Sequence, residues 1–104
     1  MELAKLFTDT DLEQIITEAM IYQCACPAQV AEQILRLRRL HDYQLECIDN
    51  RSSDDASHRL IADTAHDAHQ RMEHCLNTLL NLEGWDRQTW KMPAGLRALR
   101  DDPA

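Results

Sequence analysis

The chain has 104 residues, enough for one domain with a modest core, and contains only two glycines and three prolines. Ala, Leu, Glu, Gln, Arg and Asp dominate and β-branched runs are missing, so composition favours an all-α domain over a strand-rich fold. The formal net charge of −7 is spread along the chain without a basic patch, which argues against nucleic acid as a partner.

Residues 1–8 carry Leu3, Leu6 and Phe7 and are expected to form an ordered arm. Thr8 to Asp11 is a capping cluster, with Asp9 or Thr10 as the N-cap and Glu13 behind it. Helix 1 is placed at 10–23, with Leu12, Ile15, Ile16, Ala19, Met20 and Gln23 on one side. Cys24-Ala25-Cys26-Pro27 then breaks the pattern. Proline starts a helix well but does not continue one, so helix 2 is placed at 27–48 and turns back antiparallel. Its stripe reads Val30, Ile34, Leu37, His41, Leu45 and Ile48, with Leu35 and Leu40 widening the apolar arc. Such an arc suits two neighbours, or one neighbour and a partner chain.

A polar turn from Asp49 to Ser53 leads into the longest helix signal, placed at 53–83 with Ser53 as its N-cap. Ile61, Ala65, Ala68, Met72, Cys75, Leu79 and Leu82 recur there at alternating four- and three-residue spacing, the pattern of a core-facing stripe. Gly84 closes the helix in the left-handed conformation. A tail over 84–104 holds both tryptophans, Trp85 and Trp90, beside Arg87, Lys91, Arg97 and Arg100, and Leu96 to Arg100 reads as a last helical turn. The expected fold is an all-α, three-helix antiparallel bundle with an ordered N-terminal arm and a C-terminal tryptophan-containing tail. It has the option of a homodimer through helix 2 or helix 3.

Two tight reversals fix an approximate register. Arg36, Arg38 and Arg39 come level with Asp63, Asp67 and Glu13, and are read as ion pairs on a solvated face. Cys75 comes level with Pro27, which gathers Cys24, Cys26 and Cys75, with His74 adjacent, at one end of the bundle. Thiolates and imidazole are the donors zinc prefers, so these four residues make a candidate zinc site. Competing with it are a buried thiol at Cys75, on the core stripe, and a redox pair of Cys24 with Cys26.

His58 and His69 lie too far apart to share a metal. His66 and His69, three residues apart beside Asp63 and Asp67, are read as a solvated face. His41 interrupts the helix 2 stripe and reads as a core histidine with hydrogen-bonded nitrogens. Met1 to Lys5 lacks an export-type apolar run and no segment approaches the ~20 apolar residues of a membrane span. The four cysteines are therefore expected to be reduced thiols of a cytoplasmic protein with no membrane partner.

No Gly-rich phosphate loop or nucleophile elbow is present. A nucleotide-processing reading through Glu46, Asp63 and Asp67 thus lacks a phosphate-binding element. The leading functional expectation is a non-catalytic interaction or adaptor module, with Trp85, Trp90 and Arg87 as partner anchors. The alternative is a metal- or thiol-dependent protein built on Cys24, Cys26 and Cys75. The tail has a second reading too, in which it folds back and caps the open end of the bundle.

Overall fold

The computed structural model describes residues 3–20, 25–50 and 55–93. Gln23, Cys24, the cap Ser53 and the final turn expected over Leu96–Arg100 lie outside them. Among the described residues there are three helices, α1 (Asp9–Met20), α2 (Cys26–Asn50) and α3 (Asp55–Glu83), and they form the antiparallel bundle that the sequence implies. Pro27 is buried in the first turn of α2, where its missing N–H costs nothing.

α1 starts one residue earlier than the sequence suggests, because Thr8 is the cap. Its Oγ1 accepts from Asp11 N–H at 2.9 Å, and Asp11 Oδ2 accepts from Thr8 N–H at 2.9 Å. The Thr8 backbone hydrogen bond holds the Asp11 carboxyl below its ordinary range, with burial opposing and the Thr8 and Trp90 side chains assisting.

α3 ends in a Schellman motif. Trp85 N–H reaches Leu80 O at 3.0 Å and Gly84 N–H reaches Asn81 O at 3.2 Å, with Gly84 at φ 75°. A Cβ on Gly84 would meet Pro93 Cγ at 3.9 Å, an ordinary contact. Gly84→Ala is therefore expected to cost about 1 kcal/mol through backbone conformation alone, read as a lowered midpoint in thermal unfolding.

α2 is the central helix. It packs against α3 along most of its length, and the shorter α1 covers only its first half. The antiparallel register of α2 and α3 shows in three rungs: Gln44 with His58, His41 with His66, and Arg38 with His69. The core sits at the α1 end. Phe7, Leu12, Ile15, Ala19, Ala31, Ile34, Leu76 and Leu80 are fully buried there.

The tail closes this core. After Gly84 it turns tightly, with Asp86 Oδ1 accepting from Gln88 N–H and Thr89 N–H and pulling the Asp86 carboxyl below its ordinary range. Trp90 adopts φ 57°, unusual for a bulky residue, and its ring packs on Phe7 at 5.7 Å between centroids. Trp90 Nε1–H donates to Asp11 Oδ1 at 3.1 Å, and Met92 N–H donates to Glu18 Oε2 at 3.0 Å. The tail thus lies along α1, as the fold-back reading anticipates.

The core stripes differ from those read in the sequence. On α3 the buried positions are Ala62, Ala65, His69, Glu73, Leu76 and Leu80, a line rotated by about one residue from the Ile61–Leu82 stripe. Met20 is 61% exposed, so helix 1's apolar side stops short of its end. The physical reason for the rotation is a polar cluster in the core.

Candidate functional site

Arg38 is the hub of that cluster. Only 4% exposed, it projects from α2 into the space between α1, α3 and the arm. Its Nε–H donates to His69 Nε2 at 2.9 Å and its Nη2 donates to Glu73 Oε2 at 3.0 Å and to Phe7 O at 2.7 Å. Nη1 donates to Asp9 at the start of α1. Glu73 Oε2 also accepts from Leu6 N–H at 2.9 Å and Phe7 N–H at 3.2 Å. Two ion pairs of Arg38, with Asp9 and with Glu73, therefore tie α1, α2, α3 and the arm together. The sequence reading placed Arg38 on a solvated face and His69 in solvent. The structure corrects both, since Arg38 and His69 are buried and hydrogen-bonded to each other.

The chemistry of this cluster is architectural. A guanidinium only donates, so His69 Nε2 accepts and the ring proton sits on Nδ1, 3.8 Å from Glu73 Oε1. Burial pushes the His69 pKa below its ordinary value; Glu73 opposes that shift and Arg38 adds to it. His41 is pushed down as well, chiefly by burial, with Asp42 and Asp63 opposing and His66 assisting. His41 Nε2 has no hydrogen-bond partner, so the core placement expected for His41 holds without the expected saturation of its nitrogens.

Of the residues singled out for metal or thiol chemistry, the structure describes Cys26, His74 and Cys75. Cys75 and His74 are exposed on α3 and Cys26 is exposed at the start of α2, whereas Cys24 lies outside the described residues. Among the described residues no group of three or more His, Cys, Asp or Glu side chains is arranged to hold a metal. The buried-thiol reading of Cys75 is corrected too, because the rotation of α3 carries that position out of the core. His66 is half-buried, with Nδ1 3.4 Å from Asp67 Oδ1, and Glu46, Asp63 and Asp67 are exposed.

Trp85 and Trp90 are 5% and 9% exposed. Their indoles fill the chain's own core, an observation that counts against them as partner anchors. Arg87 is exposed but engaged: its guanidinium lies 5.5 Å from the Phe7 and Trp90 ring centroids and donates to Asn81 and Asn77. A recess of about 460 Å³ between α1 and the tail is lined by residues that include Glu13, Glu18 and Lys91. Its buried carboxylate, Glu18, is already held by Met92 N–H, with Lys91 Nζ at 3.5 Å.

What remains is the side of the α2–α3 pair that α1, the arm and the tail leave open. The α3 stripe of Ile61, Ala65, Ala68, Met72, Cys75, Leu79 and Leu82 borders this side, and of these only Ala65, 2% exposed, belongs to the core. On α2 the facing line is Cys26, Val30, Gln33, Leu37, Leu40, Gln44 and Cys47, of which Gln44 is buried against His58. Each line is uncharged and alternates four- and three-residue steps, the spacing of a helix-packing seam. Helical geometry sets both lines about half a turn away from the positions that meet α1, the arm and the tail. A recess bordered by Gln29, Val30, Glu32, Gln33 and Met72 bridges the two, with Glu32 as a charged residue at its rim. Leu40 is 41% exposed, Ile61 37% and Leu82 80%, while Val30, Leu37, Ala68, Met72 and Leu79 are half-buried. Tyr43 and Leu60 extend the apolar surface at the outer edges of the two helices.

No protein-family model, curated protein or solved structure matches the chain. No helix among the described residues is long and apolar enough to cross a membrane.

Proposed function

We propose that the chain is a non-catalytic interaction module that docks a helical surface along the open α2–α3 face. The observation that supports this is the pair of uncharged seams on the side opposite α1. A helix buries one apolar stripe against its own domain and turns charge to water. Here α2 and α3 each carry a second stripe with no charge on it, and exposed apolar continuity of this kind marks interaction surfaces. The anchors move accordingly, from the tail tryptophans to Leu40, Ile61, Met72 and the rim residue Tyr43. The buried Arg38 cluster and the tail act from inside, holding the hairpin rigid for docking.

The test is site-specific photo-cross-linking in the native cells. A benzophenone side chain at Tyr43 is expected to give a discrete protein adduct, and one at Gln70, exposed on another side of α3, is not. Equal adducts at both positions, or none at Tyr43, overturn the reading.

A further inference from the structure

We infer that the occupant of the open face is a second copy of this chain, so that two α2–α3 hairpins stack into a four-helix core. The inference rests on the interaction-module reading and adds the identity of the partner.

Three features carry it. The first is area. Each seam runs about 32 Å and two packed helices present a strip about 20 Å wide, or roughly 650 Å² per copy in projection. Pairing two such strips buries on the order of 1,300 Å² in total, within the range of stable specific interfaces. The second is charge. Seam positions with no charged residue among them, Glu32 lying only at the rim, select a surface that is equally uncharged along its middle, and among the described residues this chain presents that surface itself. Self-matching is what a two-fold interface requires. The third is length. The α2 and α3 seams are equally long, so a rotated copy meets seam with seam over the whole strip, whichever helix lies over which. Ala68 near its middle, half-buried and small, lets the backbones approach closely, as ridge-into-groove packing needs.

Sedimentation equilibrium over a wide concentration range, with circular dichroism as the control for folding, tests this. The wild-type chain is expected to approach twice its 12.0 kDa mass as concentration rises. Leu40→Glu and Ile61→Glu each place a charge on the seam at a partly exposed site, and both are expected to stay at 12.0 kDa with unchanged helicity. A wild-type chain that stays monomeric throughout overturns the inference, and so does a dimer that both variants leave intact. The mass of the Tyr43 adduct separates this from failure of the broader reading. An adduct heavier than a cross-linked pair of chains rejects the second copy and keeps the interaction module, whereas no adduct rejects both.

Discussion

Arg38→Met is expected to destabilise the bundle by about 3–5 kcal/mol, the usual result of removing one partner of a buried ion pair. The loss comes less from the attraction forfeited than from what stays behind. Glu73, its side chain 2% exposed, would keep a buried carboxylate whose remaining donors are two amide groups of the arm. Phe7 O would lose its donor and His69 Nε2 would lose its only one. A domain of this size has about 5–15 kcal/mol in all, so the variant should sit near the edge of folding. Glu73→Gln added to Arg38→Met removes the stranded charge and keeps an oxygen acceptor for Leu6 and Phe7. This double variant is expected to recover at least half of the loss, measured by urea unfolding at one protein concentration. Single-variant effects below about 1 kcal/mol would show that the cluster is peripheral to stability.

Acid is expected to weaken the bundle well before the carboxylates titrate. His41 and His69 both have folded pKa values lowered from 6.5 by burial. Below that value the unfolded chain takes up protons that the folded chain refuses, so stability falls with falling pH from about 6.5 down to the lowered folded values. With two such groups the slope approaches about 2.7 kcal/mol per pH unit at most. His69 resists strongly, since protonating Nε2 means displacing the Arg38 Nε–H bond and setting two cations side by side. Asp11 and Asp86 act in a separate window. Their depressed pKa values contribute stability above 3.8 that is lost as pH falls through the folded values. His41→Gln with His69→Gln, the latter keeping an acceptor for Arg38, is expected to flatten the profile between pH 6.5 and 5. A wild-type profile already flat there contradicts the assignment.

Much of the architecture is legible in the residues. Pro27, Gly84 and the spacing of Leu12, Ile15 and Ala19 mark where helices start, stop and face inward, because these signals are local. Which of two apolar lines on α3 meets the core is not local. Ile61–Leu82 is the more apolar line and reads as core by periodicity, whereas the line that is buried includes His69 and Glu73. Only Arg38, reaching across from α2, makes that choice favourable, and a pairing over 35 positions leaves no periodic trace. One hint was present all the same: an apolar arc on helix 2 too wide for one neighbour. The tryptophans show the reverse error. Trp and Arg are common interface anchors, but the tight turn built on Asp86 returns Trp90 to Phe7 and uses those rings internally.

Site-resolved maleimide labelling of Cys75 tests the central claim most directly, because this thiol sits on the α3 seam and outside the core. The account predicts rapid labelling of the folded chain in dilute solution and slower labelling as concentration rises and the seam is covered. Labelling that is slow at every concentration would return Cys75 to the core and remove the open face. A rate that stays fast at every concentration would leave that face without its second copy.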